Sequence, residues 1–451
     1  MRTRSGRLAR GSLLRRVPAV VLALALAACG SGADPGSGPG SGGAGSGGAG
    51  RAAGKVTLRL AWWGSDSRHA YTQKIIDLFE AKHPDIVVDP DYGNFDDYWN
   101  KLATGIAGGN APDVLQQDTK YLRDYAERGA MADLSPYLGK EIAVADLDPV
   151  VATSGRVGDK TYGLPTGVNA YAVVADPAAF AAARVPLPDD ATWTWERFTS
   201  VAASITKGSP KGVYGVQDPG PVDITLEVFA GQRGERLFTP DGRPGLSKAT
   251  LTAYYTMLAG LVASGAEPPP SVSVEIAPAG VDRSLVATGQ GAMAMFWTNQ
   301  LGALAKAAGK ELTLLRLPGD SPTSGTYYKP AMFWSVNART AHPRESAMLL
   351  DFLLNDPEAA RLTLSDRGLP ANLVRRKAVV GSLGTADQVA ARFLEKLRPT
   401  IGATPALPPK GSGKISGTVV KKTNEQILFK RLTPEQAADT FLRQAASALK
   451  R

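Results

Sequence analysis

Residues 56–118 carry a regular pattern of apolar and polar positions. The alternating residues Val56, Leu58, Leu60 and Trp62 have the two-residue period of a β-strand. Later apolar positions of the segment indicate a helix (Tyr71, Ile75, Leu78, Phe79), a strand (Ile86, Val87, Val88), a helix capped by Asp96 (Tyr98, Leu102, Ile106) and a further strand (Val114, Leu115). The segment therefore predicts a β-α-β-α-β unit, which builds a mostly parallel sheet.

Aromatic, amide, hydroxyl and carboxylate side chains stand where these strands end. They are Trp62, Trp63, Ser65, Asp66, Tyr92, Asn94, Gln116 and Asp118. Ligands of such sheets bind beyond the carboxyl ends of the strands, and this chemistry suits a polyhydroxylated ligand. Alternative roles stay open: both tryptophans could be core, and Ser65, Asp66 or Asp118 could cap the helices that follow. Adjacent strand residues face opposite ways, so one tryptophan could be core while the other stacks on the ligand.

The rest of the chain alternates short strands and helices. A hairpin is predicted around residues 158–159, a helix capped by Thr194, a buried strand over residues 291–297, and a helix beginning at the capping box Thr433–Gln436. Further candidate ligand contacts at strand ends and on aromatic extended pieces are Asn169, Trp297, Asn299, Tyr328 and Trp334, with Tyr327 as an alternative on the same piece. Trp193 and Trp195 are interpreted as core residues at a helix start.

The first 54 residues have a different composition. An arginine-rich start leads to an apolar run and then to Leu26-Ala27-Ala28-Cys29, and Gly, Ser, Ala and Pro dominate residues 31–50. The apolar run is too short to span a membrane. The pattern resembles a bacterial lipoprotein signal over residues 1–28, with Cys29 acylated and residues 29–54 as a flexible tether. A plain signal peptide or a short membrane anchor is the alternative, and the export route, general secretory or twin-arginine, stays open.

Length, charge and cysteine content restrict the possible functions. A chain of 451 residues predicts two lobes or domains. Six of the 51 basic residues precede Cys29, which leaves 45 basic against 42 acidic residues. That balance argues against nucleic acid as a partner. Cys29 is the only cysteine, and the three histidines have no metal-ligand spacing, so neither a metal nor another cofactor is expected.

Several motifs in one order resemble the extracellular solute-binding proteins of ABC importers, mostly sugar carriers. They are the lipoprotein signal and tether, LAWWG at residues 60–64, IIDLFEAKHP at 75–84, LATGIAGGNAPD at 102–113, QQD at 116–118, YGLP at 162–165, TWTW at 192–195, GQGAMA at 289–294 and the helix over 346–354. Each motif alone is weak evidence. Their order and spacing are specific for the family, although not for the solute.

The resemblance implies a two-lobed, periplasmic-binding-protein-like α/β fold, each lobe a mostly parallel sheet flanked by helices, with a hinge between the lobes. Residues 55–162 and 286–340 would form lobe 1, and residues 163–285 and 341–451 lobe 2. A mono- or oligosaccharide would bind between the lobes, with no catalytic residues. The partners would be the ABC permease subunits and, through Cys29, the outer face of the bacterial cell membrane, with the protein a monomer.

Other function classes are kept as alternatives. A surface-anchored carbohydrate hydrolase or lyase needs two placed carboxylates or a nucleophile with its base, and composition alone does not exclude these. No HExxH, GxSxG or Walker motif is present in the sequence. A peptide or other solute could also occupy the same fold.

Overall fold

Two sheets and a small linking sheet organise the molecule. A computed structural model describes residues 55–239, 241–278, 280–321 and 323–449. These described residues cluster as one compact unit. The predictions for the signal, Cys29 and the tether lie outside the described residues.

The strands are short after the first two. They are β1 (Val56–Trp63), β2 (Ile86–Gly93), β3 (Val114–Gln117), β4 (Arg156–Val157), β5 (Lys160–Thr161), β6 (Leu164–Pro165), β7 (Gly167–Asn169), β8 (Tyr171–Ala175), β9 (Tyr214–Val216), β10 (Gly291–Trp297), β11 (Thr313–Leu315), β12 (Lys329–Pro330), β13 (Phe333–Val336) and β14 (Leu369–Pro370).

The helices cover the sheets. They are α1 (Asp66–Lys82), α2 (Phe95–Ala107), α3 (Thr119–Glu127), α4 (Pro177–Ala182), α5 (Trp195–Gly208), α6 (Asp223–Gly231), α7 (Lys248–Ser264), α8 (Pro270–Ile276), α9 (Leu285–Thr288), α10 (Leu301–Ala308), α11 (Pro343–Asn355), α12 (Pro357–Thr363), α13 (Leu373–Val379), α14 (Thr385–Leu397), α15 (Ser412–Lys414), α16 (Val420–Leu428) and α17 (Pro434–Leu449). A π-helical stretch, Ile415–Val419, joins α15 to α16. Among the described residues no helix combines the length and the apolar content that a membrane crossing needs.

The first sheet has the order β2-β1-β3-β13-β6. Strand β1 pairs in parallel with β2 and β3, as the β-α-β-α-β pattern predicts, whereas β13 joins antiparallel to β3. Leu58, Leu60 and Trp62 pack on one face of β1 and Ala61 and Trp63 on the other, each set in its own apolar cluster. The strand period therefore sorts the side chains to two buried faces.

The second sheet has the order β11-β8-β10-β9, and the linking sheet β12-β7-β14. Along the chain, β7 comes after β6 of the first sheet and before β8 of the second. Likewise, β12 comes after β11 of the second sheet and before β13 of the first. The chain thus passes from one sheet to the other through the linking sheet. One apolar cluster contains Leu60 of the first sheet, Val168 of the linking sheet and Val174 of the second.

The second range that the sequence assigned to lobe 1, residues 286–340, contains strands of both larger sheets. Strands β10 and β11, inside residues 286–340, pair with β8 of the second sheet, whereas β13 pairs in the first sheet. In the range assigned to lobe 2, α11 and α12 pack against α1, next to the first sheet. The period of apolar residues predicts whether a segment is a helix or a strand, but not which sheet it joins. The sheet of each of these elements is therefore known only from the structure.

Candidate functional site

A cavity of about 470 Å³ lies between the end of β3, the linking sheet and α6, and we call it the central cavity. It is lined by the end of β3 and start of α3 (Asp118, Thr119, Lys120), by α6 (Asp223, Ile224, Glu227), by Leu237 and Phe238, by the linking segment (Tyr327, Lys329, Pro330), and by loop and helix residues 404–406, 408, 412–413 and 416–417. Charged side chains therefore alternate with apolar and aromatic ones around it.

Helix α6 places two carboxylates in this cavity. Asp223 and Glu227 are four residues apart, which puts them on one face of the helix. Glu227 is 6% exposed; its Oε2 accepts a hydrogen bond from Leu237 N at 2.9 Å, and its Oε1 has no partner among the described residues. Burial raises the pKa of the Glu227 carboxyl to about 7. Burial also raises the pKa of Asp223, which a hydrogen bond from Ser416 counteracts.

Asp118 supplies a carboxylate from the first sheet. It ends β3 and accepts a hydrogen bond from Lys120 N at 2.8 Å, so it caps α3. This was the alternative role that its position suggested. The side chain is half-buried and lines the central cavity, so capping and ligand contact are compatible.

Aromatic side chains lie on the linking-segment side of the cavity. Tyr327 lines it and is 8% exposed, and its ring centroid lies 6.5 Å from that of Trp297. The ammonium group of Lys329 lies 5.5 Å from the centroid of the Trp297 ring. Trp297, a predicted contact, thus borders the site through Tyr327 and Lys329.

The adjacent tryptophans of β1 are buried on opposite faces. Trp62 is 0% exposed, and its Nε1 donates to His69 Nδ1 at 3.1 Å. Trp63 is 8% exposed and packs against Phe95, Tyr98 and Trp99, with ring centroids 5.2–5.6 Å apart. Neither side chain lines the central cavity in this structure. The predicted stacking of one of them on a ligand stays a prediction.

Other candidates at the ends of β1 and β2 surround an exposed aromatic stack. Tyr92 is 52% exposed and stacks on His69, with ring centroids 4.3 Å apart. Ser65 and Asp66 are exposed at the start of α1; Ser65 occupies the cap position without a side-chain capping bond.

Asn94 caps α2 by accepting from Asp97 N at 2.9 Å, in place of the predicted Asp96. An amide side chain one residue before the helix meets the free N–H groups, whereas Asp96 is already inside the helix.

Two candidates of the first sheet contact a buried cation. Gln116 and Trp334 face each other across β3 and β13. The guanidinium of Arg367 donates to Gln116 Oε1 at 3.3 Å and lies 5.1 Å from the Trp334 ring centroid. Arg367 is 2% exposed and also donates to Thr72 Oγ1. These side chains are enclosed by protein and do not line the central cavity in this structure.

The remaining candidates are dispersed. Tyr328 is fully buried and donates to the Leu394 carbonyl at 2.6 Å. Asn169 is 7% exposed in β7, paired with Lys329 of β12. Asn299 is exposed and borders a different hollow of about 520 Å³, together with Tyr71. Tyr327 and Tyr328 point to different surroundings because neighbouring residues of an extended segment face opposite ways.

A cavity of about 580 Å³ beside α2 is larger than the central cavity. Three of its four charged side chains are paired, because Asp91 forms ion pairs with Arg59 and Lys101, and the fourth, Asp97, accepts a hydrogen bond from Asn94 Nδ2. Its walls come from β1, β2, α2 and the loop after α2, all around the first sheet. The central cavity is the better candidate, since it combines three carboxylates with a lining that joins the loop after β3, the linking sheet and α6.

Asp223 and Glu227 were not predicted from the sequence. The spacing i, i+4 in the apolar segment DITLEVFAG was the available signal, because two carboxylates on one face of an otherwise apolar helix are unusual. In the described part of the chain no three His, Cys, Asp or Glu side chains come together as metal ligands.

Comparison with known proteins gives consistent matches. A model of the bacterial extracellular solute-binding protein family matches residues 74–382. An uncharacterized lipoprotein of Streptomyces antibioticus is 30% identical over 333 residues, which cover 71% of each chain.

Two solved structures have the same fold. An extracellular solute-binding protein of family 1 from Alicyclobacillus acidocaldarius is 27% identical, with a TM-score of 0.74. A periplasmic oligogalacturonide binding protein from Yersinia enterocolitica is 23% identical, with a TM-score of 0.76. Each match covers 88% of this chain and 99% of the other. The predicted fold class is therefore confirmed.

Proposed function

The chain belongs to the bacterial extracellular solute-binding protein family, and on that premise we propose that it is the substrate-binding subunit of an ABC importer. It captures a mono- or oligosaccharide in the central cavity and delivers it to a membrane permease. The protein is a monomer, and its acylated Cys29 anchors it to the outer face of the cell membrane. The tether of residues 29–54 lets the folded part of the chain reach the permease.

The lining of the central cavity is the observation that carries this proposal. Tyr327 and Phe238 offer aromatic surface, and Asp118, Asp223 and Glu227 offer hydrogen-bond acceptors within one space of about 470 Å³. Apolar ring faces pack on the C–H faces of a sugar while acceptors take its hydroxyl protons. The Yersinia enterocolitica protein is an oligogalacturonide binding protein, which supports a saccharide as the class of solute.

Ligand capture here needs no chemical step. The matched family is one of solute-binding proteins. Asp223 and Glu227 lie on the same helix face, so they meet a ligand from one side. A glycosidase places its two carboxylates on opposite sides of the scissile bond. We therefore assign the cavity to holding a sugar, in keeping with the family that the chain matches.

A thermal-shift screen of residues 54–451 against saccharides, with peptides and polyamines as controls, tests the proposal. A ligand at about 100 times its Kd adds roughly 2.7 kcal/mol of stability. We expect one saccharide class to raise Tm and to be recovered unchanged. Consumption of the sugar would instead support the hydrolase or lyase alternative, and a shift given only by peptides would replace the substrate class.

The variant Asp118→Asn locates the site. Asparagine caps a helix as well as aspartate does, so the fold is retained while a charged acceptor of the cavity is lost. We expect weaker saccharide binding at an unchanged Tm of the free protein. The matched control is Asp96→Asn, an exposed residue of α2 outside the central cavity.

A further inference from the structure

We infer that the saccharide bound in the central cavity carries a protonated amino group, which the carboxylates of Asp223 and Glu227 receive. This inference rests on the proposed function and specifies its substrate class. It distinguishes an amino sugar from neutral sugars and from uronates.

The first step is the placement of the carboxylates. Asp223 and Glu227 share one face of α6, and both line the cavity. Glu227 is more than nine-tenths buried, yet its Oε1 has no hydrogen-bond partner among the described residues. A buried carboxylate oxygen without a donor is costly, so its position indicates a donor that arrives with the ligand.

The second step is the charge of the lining. No ion pair within 4.0 Å engages Asp118, Asp223 or Glu227 in the described part of the chain. The cavity's two lysines have their ammonium groups over aromatic rings, that of Lys120 over Tyr121 and that of Lys329 over Trp297. Asp118 already accepts from Lys120 N, and burial raises the pKa of Asp223 while Ser416 and the charge of Lys329 lower it. The acceptor left without a partner among the described residues is Glu227 Oε1.

Ligands of different charge would meet this lining differently. A uronate would bring its carboxylate close to Asp223 and Glu227, and like charges repel at this range. A neutral sugar offers only hydroxyl donors. A protonated amine forms charge-assisted hydrogen bonds, which are roughly twice as strong. The ring of Tyr327, which lines the cavity from the linking segment, offers a further contact to a cation.

The groups around Glu227 set the pH dependence. Burial raises the pKa of Glu227 to about 7; Leu237 N and the nearby Arg236 lower it, and Asp223 raises it. Burial raises the pKa of Tyr327 as well, with a further increase from Glu227. Glu227 therefore loses its proton near neutral pH, and an ammonium ligand favours the charged form. The amine of an amino sugar loses its own proton near neutral pH as well, so we expect its affinity to pass through a maximum at about pH 7 and to decrease on both sides.

The test uses isothermal titration of residues 54–451 with three trisaccharides: glucosamine trimer, N-acetylglucosamine trimer and galacturonate trimer. Chito-trimers with and without acetyl groups share one sugar backbone, and acetylation removes the charge of the amine and adds an acetyl group at the same position. The glucosamine trimer is expected to bind about tenfold or more tightly than the other two, since a hydrogen bond to a charged group is worth about one power of ten in affinity. Glu227→Gln is expected to remove that advantage. Glu196→Gln, an exposed residue of α5, is the matched control.

The results of this titration test the amine inference and the saccharide function separately. If the acetylated, uronate or another neutral saccharide binds equally well or better, the amine inference fails while the saccharide function stands. If no saccharide binds and a peptide does, the proposed function fails and the inference with it. Should Glu227→Gln melt at a lower temperature than the parent, Asp223→Asn takes its place, and an unchanged preference for the amine in the folded variant overturns the inference.

Discussion

At the scale of single residues, Trp62 has the surroundings of a structural side chain. Its indole donates to His69, its ring lies 5.1 Å from that of Tyr92, and none of its surface is exposed. A large ring in such a place contributes mainly through the apolar area that it removes from water.

Replacement of Trp62 by alanine is therefore expected to lower the free energy of unfolding by about 3–5 kcal/mol, because it leaves a cavity in the core. Urea denaturation measures this change. Tyr92→Ala, which removes a half-exposed ring from the same stack, is the control and should cost much less. A Trp62→Ala protein of unchanged stability that no longer binds saccharide would favour the stacking role that its sequence position predicts.

Buried acids make the stability depend on pH. Burial raises the pKa of Glu227 from 4.5 to about 7 and that of Asp218 from 3.8 to about 6. In the window between the unfolded and folded values, the folded protein keeps protons that the unfolded chain releases. The free energy of unfolding contributed by these groups is thus fully present below about pH 4 and decreases as pH rises to about 7.

The difference between the parent and Glu227→Gln isolates this effect. We expect the variant to gain roughly 1–3 kcal/mol relative to the parent on going from pH 4.5 to pH 8. Urea titrations at several pH values, without ligand, give the two curves, and Glu196→Gln is the control. Parallel curves would show that Glu227 titrates with an ordinary pKa.

At the scale of elements, the start of α2 depends on one side chain. Asn94 Oδ1 accepts from Asp97 N, and Asn94 Nδ2 donates to the Asp97 carboxylate at 2.6 Å. Asp96 is exposed and makes no side-chain hydrogen bond among the described contacts.

Asn94→Ala is expected to cost about 1 kcal/mol of unfolding free energy through the lost cap. The neighbouring Asp96→Ala should cost less, because it loses only the interaction of a first-turn carboxylate with the helix dipole. Equilibrium denaturation of both variants compares them directly. The reverse ranking would return the capping role to Asp96.

Helix α6 shows how an element acquires a role in the site. Leu226, Val228, Phe229 and Ala230 bury its apolar faces in the cluster of the second sheet. Asp223 and Glu227 share the face of α6 that lines the central cavity, where Leu237 N also donates to Glu227. Both carboxylates are thus placed beside the space for a ligand.

At the scale of the whole molecule, the linking sheet holds the two larger sheets together. Gly167 of β7 lies so close to β14 that a Cβ atom there would be 2.6 Å from the Arg367 carbonyl oxygen and from Gly368. Backbone atoms do not move aside as side chains do, so only glycine fits.

Gly167→Ala is expected to lower Tm and to cost about 1–3 kcal/mol of unfolding free energy by overpacking. Gly260→Ala is the control: it lies inside α7 with no atom within 4 Å of the added methyl group, and alanine favours a helix by about 1 kcal/mol. Differential scanning calorimetry separates the two outcomes. A Gly167→Ala protein as stable as the parent would mean that the strands of the linking sheet can separate at little cost.

The sequence alone determined what depends on local pattern. The alternation in residues 56–63 predicted β1 and its opposite faces, Thr194 and Thr433 predicted helix caps that hydrogen bonds confirm, and Trp193 and Trp195 were identified as core. Period, capping and turn chemistry act over a few residues and can therefore be read without a fold.

Tertiary structure alone decided which elements meet. Three features join residues that are far apart in the chain. Strands β10 and β11 pair in the second sheet, Gln116 and Trp334 contact Arg367, and α6 lines the same cavity as the residues after β3. Exposure of an aromatic or a carboxylate is a property of such long-range packing, because the atoms that cover it come from other elements. The sequence motifs therefore predicted the family. Which residues line the central cavity was decided by how the two sheets and α6 pack together.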